Sequence, residues 1–74
     1  MKLLQSVVTD RHIHAFIELD DGETGLFEAD KTGKQWNDGL DKWNWQCTPV
    51  WREKEIRHAF CMLVVTKQIK KGWN

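Results

Sequence analysis

The chain has 74 residues, of which 41% are hydrophobic and 30% are charged, and its eleven basic and eleven acidic residues give no net formal charge. This length excludes a second domain, and the composition excludes the disordered class, which combines low hydrophobicity with high net charge. The chain also lacks the strongly basic balance that is typical of small nucleic-acid-binding domains.

The N-terminal part of the chain predicts two strands. The β-branched pair Val7-Val8 favours a strand over residues 2–9, although the preceding Leu-Leu-Gln-Ser is also compatible with a helical turn. Residues 12–19 alternate between apolar and polar, which predicts a strand with one buried face. That face would hold Ile13, Ala15, Ile17 and Leu19. The opposite face would hold His12, His14, Phe16 and Glu18.

Turn signals follow each of these strands. Residues 9–11 are short enough for a tight connection, and the Asp-Asp-Gly-Glu segment at 20–23 favours a hairpin turn, because its glycine allows positive φ. A third strand is predicted over residues 26–30. Residues 31–34 predict another hairpin turn, which would return the chain through residues 35–36 as a short fourth strand.

The tryptophan-rich middle of the chain predicts a further strand. Residues 37–39, Asn-Asp-Gly, break the short fourth strand, and residues 42–47 then alternate again. The buried face of this strand would hold Trp43, Trp45 and Cys47. A half-buried strand is the simplest explanation of that pattern.

A single C-terminal helix is predicted from about residue 49 to residue 71. Thr48 would cap its free N–H groups, Pro49 would occupy its first position, and Gly72 would end it. Residues 60–65 are apolar around the whole circumference, so this half is either widely buried or replaced by a strand near Phe60. We favour the continuous helix.

The predicted fold class is therefore α+β. An antiparallel β-meander of three to five short strands, over about residues 2–47, would pack against one long C-terminal helix in a single domain spanning residues 1–74. The longest apolar run, residues 59–65, is too short to cross a bilayer, and the N-terminus lacks the pattern of a signal peptide. We expect a cytoplasmic location, no membrane partner, and reduced thiols at Cys47 and Cys61.

Motifs for catalysis and cofactor binding are missing from the sequence. No nucleophile elbow or phosphate-binding loop is present, and a domain this small has difficulty enclosing a pocket of ~300 Å³ or more. The carboxylates around residues 20–30 are typical of a solvated hairpin. We therefore predict a protein that is not an enzyme and has no cofactor.

The histidines and cysteines supply possible metal ligands, but without the spacing of a structural zinc site. Such sites bring their ligands in close pairs such as C-x₂-C, which this sequence lacks. The candidates considered are His12, His14, His58, Cys47 and Cys61. We predict no metal site from this pattern and expect the histidines on an exposed sheet surface.

Five tryptophans in so small a domain favour a protein-binding function, since tryptophan is enriched at interface hot spots. Trp43, Trp45 and Trp51 are expected in the core, each indole N–H bonded to a backbone carbonyl. That leaves Trp36 and Trp73 as the predicted partner contacts. We predict a non-catalytic protein-binding module, such as an inhibitor, adaptor or regulator, and self-association through residues 60–65 as a second possibility.

Charge is divided unevenly along the chain. Residues 1–41 carry nine acidic and four basic residues, whereas residues 42–74 carry two acidic and seven basic residues. The halves are either faces of one domain that attract each other or surfaces for partners of opposite charge. In the second case the acidic hairpin would steer a basic partner through Asp20, Asp21 and Glu23.

Nucleic-acid binding by the C-terminal helix is the alternative function. The helix carries basic residues that could contact phosphates, although the acidic strands and turns would repel them. The candidate residues are Arg52, Arg57, Lys67, Lys70 and Lys71. This class is less favoured than protein binding.

Overall fold

The computed structural model describes residues 1–70, except for the side chains of Asn37 and Ile69. Its strands are Lys2–Val8 (β1), His12–Glu18 (β2), Thr24–Asp30 (β3) and Asn44–Thr48 (β4). They form one antiparallel meander in the order β1-β2-β3-β4, and the C-terminal helix packs across β2, β3 and β4. This architecture confirms the predicted α+β class.

The turns that join β1 to β2 and β2 to β3 form where the sequence predicted them. The hydroxyl of Thr9 accepts the backbone N–H of His12 at 2.9 Å, which closes the first turn. Gly22 has φ +89° and donates its N–H to the carbonyl of Leu19 at 2.9 Å, which closes the second. The second turn sets the β2–β3 register, in which Glu18 lies opposite Thr24.

The predicted fourth strand at residues 35–36 is wrong. The backbone N–H of Gln35 donates to a carboxylate oxygen of Asp38 at 2.8 Å, and this local bond bends the chain into a 3₁₀ turn over Trp36–Asp38. Gly39 then has φ +94°, and a second 3₁₀ turn covers Leu40–Lys42. The predicted turn at residues 31–34 forms, but the chain then continues to β4 through two 3₁₀ turns instead of returning as a hairpin strand.

The buried core lies between the sheet and the helix. We call the helix-covered side of the sheet the inner face and the opposite side the outer face. As predicted, Ile13, Ala15 and Ile17 of β2 are fully buried on the inner face. Phe27 of β3 stacks on Phe60 of the helix, with ring centroids 3.9 Å apart. This stack joins the sheet to the helix.

Gly25 allows the helix to approach β3 closely. A Cβ atom at this position would lie 2.6 Å from Cγ1 of Ile56, well inside van der Waals contact. Ile56 is fully buried directly against the glycine backbone. The helix can therefore pack this closely on the sheet only because residue 25 has no side chain.

The tryptophan-containing face before and within β4 turns inward, as predicted. Trp43 and Cys47 are buried, whereas Trp45 is half-buried and stacks on Phe27 with centroids 6.1 Å apart. The expected hydrogen bond from the Trp43 indole to a carbonyl is wrong, because its buried Nε1 has no partner within residues 1–70. Within residues 1–70, packing contacts hold this indole.

The helix is continuous through the segment that the sequence left open. A 3₁₀ turn at Val50–Arg52 leads into an α-helical segment, Glu53–Phe60, then a π-helical turn, Cys61–Val65, and a last α-helical segment, Thr66–Lys70. The hydroxyl of Thr66 donates to the carbonyl of Cys61, five residues earlier, at 2.9 Å. The predicted end at Lys71 and Gly72 lies outside the described residues.

The predicted start of the helix is wrong by a few residues. Thr48 is the last residue of β4 and caps nothing, while Pro49 has φ −72° and ψ 147°, an extended conformation, just before the 3₁₀ turn. The fixed φ of proline suits both a first helical residue and an extended one, so the sequence signal did not distinguish them.

The expected wide burial of residues 60–65 is only partly correct. Phe60 and Val64 are buried and three neighbours are half-buried, but Met62 is exposed. The segment therefore buries most of its apolar surface within one chain.

Within residues 1–70, no helix is both long and apolar enough to span a membrane.

Candidate interaction surfaces

Trp36, which the sequence assigned to partner contact, is buried. The residue is 4% exposed and its ring packs edge to face on Trp43, with centroids 5.4 Å apart. The ammonium of Lys31 lies 5.2 Å from the centroid of the same indole. The expectation that Trp36 lies outside the core is wrong, because the 3₁₀ turn places its indole against Trp43. Trp73, the other predicted contact, lies outside the described residues.

Trp51, which the sequence assigned to the core, is 85% exposed. It follows Val50, which is also exposed, in the 3₁₀ turn before the helix. The buried stripe of the helix includes Ile56, and counting back three or four positions from Ile56 reaches Glu53 and Arg52. That period could have placed Trp51 off the buried stripe from the sequence alone.

The acidic turn at residues 20–23 is bound to the start of the helix. Carboxylate oxygens of Asp21 and Glu23 each accept a hydrogen bond from Nη1 of Arg52 at 2.8 Å. The backbone N–H of Glu23 and the Arg52 guanidinium hold the pKa of Asp21 below its ordinary value. Asp20 accepts a hydrogen bond from the N-terminal amine at 2.6 Å. The structure brings the three predicted acidic residues together and pairs them with charges of the same chain.

Two of the predicted nucleic-acid contacts are engaged in the same way. The side chain of Arg52 is 13% exposed and holds the acidic turn. Nη2 of Arg57 donates to Asp41 at 2.6 Å, and its guanidinium lies 5.3 Å from the ring centroid of Trp45. These pairs join the basic C-terminal part of the chain to the acidic N-terminal part, which is the attraction between halves that the sequence suggested.

The remaining basic candidates lie farther along the helix. Lys67 and Lys70 are exposed in its last segment, whereas Lys71 is outside the described residues. At 1.5 Å per residue, Lys67 follows Arg57 by about 15 Å along the axis. The structure therefore does not gather the predicted basic residues into one cluster.

β1 is an edge strand with exposed apolar side chains on both faces. Val8 pairs with the buried Ile13 of β2 and so faces inward, yet it is exposed, because the helix covers the other strands. Val7 pairs with His14 on the outer face and is 51% exposed. Leu4 is exposed as well, at an irregularity in the β1–β2 register. Among residues 1–70, only β2 pairs with this strand, so no described strand occupies its other backbone edge.

Two histidines and a carboxylate meet on the outer face. His14 of β2 lies opposite Glu28 of β3, and His12 lies opposite Asp30. The Nε2 atoms of His12 and His14 are 2.7 Å apart, and Nε2 of His14 is 3.3 Å from Oε2 of Glu28. The sequence alone groups these histidines with His58, Cys47 and Cys61 and predicts no metal site. The H-x-H spacing, together with the register set by the turn at residues 20–23, could have identified Glu28.

The cysteines are free thiols and lie outside the cluster of His12, His14 and Glu28. Cys47 is buried on the inner face, where burial raises the pKa of its thiol to about 11. Cys61 is half-buried on the helix, and burial raises the pKa of its thiol as well. A raised pKa keeps both sulfurs protonated at neutral pH, which disfavours thiolate chemistry.

Comparison of this chain with protein-family models, with curated proteins and with solved structures finds no match. Function is therefore inferred from the geometry of the chain itself.

Proposed function

We propose that this chain is a non-catalytic protein-binding module that acts through the free edge of β1, and that its partner strand is β1 of a second copy. The observation that carries the proposal is the exposure of β1 on both faces of the sheet. An exposed, long and apolar edge strand is a template for pairing with another extended segment. Pairing there would satisfy the free backbone groups and cover Leu4, Val7 and Val8 together.

A second copy of the chain supplies a segment of suitable chemistry. Lys2 is the only charged residue of β1. Antiparallel pairing about a two-fold axis would put the two Lys2 side chains at opposite ends of the interface. The apolar residues of each strand would then face those of the other copy without like-charge repulsion. An interface made of one strand from each chain is small, so we expect a dimer that forms and dissociates rapidly.

Residues 60–65, the self-association surface suggested by the sequence, receive less support. Phe60 and Val64 are already buried within one chain, so Met62 is the main apolar side chain that this segment would add to a dimer. The β1 edge offers more exposed apolar side chains together with unpaired backbone groups.

Sedimentation of matched variants tests the proposal. We expect the natural chain to show a dimer that grows with concentration up to about 1 mM, as mass action requires. Val7→Lys places a charge on the exposed edge and should leave a folded monomer. Gln46→Lys, on the exposed face of β4 at the opposite edge, is the matched control and should sediment like the natural chain.

Two results would overturn the proposal. One is a natural chain that remains monomeric throughout this concentration range. The other is equal loss of the dimer in Val7→Lys and Gln46→Lys, which would place the contact away from β1. Far-ultraviolet circular dichroism of each variant checks that the fold is retained.

Nucleic-acid binding remains the alternative and is less well supported, because Arg52 and Arg57 are paired with acidic residues of the same chain. Exposed Lys67 and Lys70 are the basic candidates that the structure leaves available on the helix. A mobility shift at low salt that disappears on Lys67→Ala and Lys70→Ala would favour this function over the first.

A further inference from the structure

We propose that the outer face of the sheet carries a binding site for a divalent transition-metal ion, with Zn²⁺ as the best fit and with His12, His14 and Glu28 as its ligands. Among the described residues, these three are the one group of histidine, cysteine and acidic side chains close enough to hold an ion together. The inference is independent of β1 pairing.

The three ligand atoms lie within 4.8 Å of one another, so small side-chain shifts would bring them to the separations that zinc requires. Ligands about 2.1 Å from a tetrahedral ion are roughly 3.3–3.5 Å from one another. Nε2 of His14 and Oε2 of Glu28 are 3.3 Å apart, which fits this value. The Nε2 atoms of His12 and His14 are 2.7 Å apart and must separate by about 0.6 Å to reach it. The imidazole of His12 is on an exposed residue, so a small rotation suffices.

Regular β-structure builds this arrangement before any ion binds. His12 and His14 are two residues apart on β2, so their side chains share the outer face. Glu28 lies directly across from His14 in the β2–β3 ladder, where cross-strand Cβ atoms are about 4.5–5.5 Å apart. The three ligands therefore come from two adjacent strands whose register is fixed by the turn at residues 20–23.

A metal ion would replace the hydrogen bond that joins the two imidazoles. At 2.7 Å the two imidazoles share one hydrogen bond, with one Nε2 donating and the other accepting. Both nitrogens therefore lie together on the outer face, within 4.8 Å of a carboxylate oxygen of Glu28. A divalent ion among these atoms would accept a lone pair from each nitrogen once the donating imidazole has moved its proton from Nε2 to Nδ1, and Glu28 would offset part of its charge.

The donor set also indicates which metal. Two imidazoles and one carboxylate suit Zn²⁺ and its neighbours in the transition series, whereas Mg²⁺ and Ca²⁺ prefer oxygen ligands throughout. Three protein ligands leave the fourth tetrahedral position open. The side chains of His14 and Glu28 are 40% and 33% exposed, so water can reach that position. An open groove lined by His12, Glu28, Asn44 and Gln46 adjoins it.

His58 provides a control for non-specific binding by exposed histidines. It is exposed on the helix, and no described pair of His, Cys, Asp or Glu side chains joins it within metal-ligand distance. Adventitious binding depends on exposure and would treat all three histidines alike. A built site depends on His12, His14 and Glu28 and is indifferent to His58.

Calorimetric titration of the untagged 74-residue chain with ZnCl₂ tests the site. We expect one ion per chain, with affinity reduced at least about 10-fold by His14→Gln and by Glu28→Gln and changed less than about 2-fold by His58→Gln. Titration with Co²⁺ should give visible absorption bands of tetrahedral intensity in the natural chain and in His58→Gln, but not in His14→Gln. Thermal melting without metal checks that each variant folds.

The proposal is overturned if the natural chain takes up no zinc, or if His58→Gln weakens binding as much as His14→Gln does, which would indicate adventitious binding only. Titration at low protein concentration keeps the chain monomeric, so failure of the metal site and failure of β1 pairing are separate results.

Discussion

The two edges of the sheet differ in length, polarity and cover. β1 has seven residues and exposes Leu4, Val7 and Val8, whereas β4 has five residues and exposes the polar Asn44, Gln46 and Thr48. The inner face of β4 lies under the helix, which also covers β2 and β3. β1 therefore belongs to the sheet but contributes little to the buried core. β1 is held mainly by its ladder with β2, and its apolar side chains remain available to a partner.

The largest expected effects separate the helix-covered region from β1. Phe60→Ala removes the ring that stacks on Phe27 and should lower the free energy of unfolding by about 3–5 kcal/mol, enough to leave a small domain partly unfolded. Val7→Ala, on the exposed edge, should change it by no more than about 0.5 kcal/mol. Urea denaturation followed by circular dichroism measures both variants. Equal losses of unfolding free energy in Phe60→Ala and Val7→Ala would contradict the contrast between the helix-covered region and β1.

Two tryptophans repeat this contrast within residues 36–51. Trp36→Ala leaves a cavity beside Trp43 and should lower the free energy of unfolding by about 3 kcal/mol or more. Trp51→Ala should leave it within about 0.5 kcal/mol, because the indole is almost wholly exposed. Acrylamide quenching provides an independent test, since Trp51 is the most exposed tryptophan within residues 1–70 and Trp51→Ala should remove accessible fluorescence that Trp36→Ala retains. A stable Trp36→Ala variant would restore the original assignment of that residue to the surface.

Gly25 tests how closely the helix approaches β3. Gly25→Ala places a methyl group against Ile56 and should cost about 1–3 kcal/mol through overpacking. Adding Ile56→Val, which deletes Cδ1, should recover part of that cost, so the two changes should be non-additive in a double-mutant cycle. Additive effects would contradict close contact between these residues.

The ion pair between the acidic turn and the helix predicts a pH effect. The pKa of Asp21 is lower in the folded chain than its ordinary value of 3.8, because the Glu23 N–H and Arg52 favour the charged form. The stability from this shift is complete above that ordinary value and is lost as pH falls through the folded pKa. Asp21→Asn should therefore destabilise the chain near neutral pH and by less below pH 3.8. If the difference in unfolding free energy between Asp21→Asn and the natural chain were the same near neutral pH and below pH 3.8, the lowered pKa of Asp21 would be contradicted.

Local patterns predicted most of the fold. Alternation in residues 12–19 identified the buried face of β2, and the Asp-Gly signal identified the turn that sets the β2–β3 register. These predictions depend on neighbouring residues, and the structure confirms them. The assignments that failed depend on distant contacts or on competing local bonds. Asp38 bends the chain at Trp36, and Pro49 is extended instead of helical.

Less of the candidate sites could be predicted. The sequence gives no direct sign that the helix leaves β1 uncovered, because that depends on how the helix crosses the sheet. The meeting of His14 with Glu28 was within reach, since it follows from the hairpin register. The burial of Trp36 was not, because it depends on Trp43 and on the path of residues 31–43. The exposure of Trp51, in contrast, follows from the helical period counted back from Ile56.

Amide hydrogen exchange at the two sheet edges, recorded at low and high protein concentration, tests the central claim most directly. If β1 pairs with a second copy, amides of β1 that face away from β2 should gain protection as concentration rises, while the free edge of β4 should not change. Protection that is independent of concentration at both edges, or that rises at β4 instead, would contradict the assignment of β1 as the binding strand.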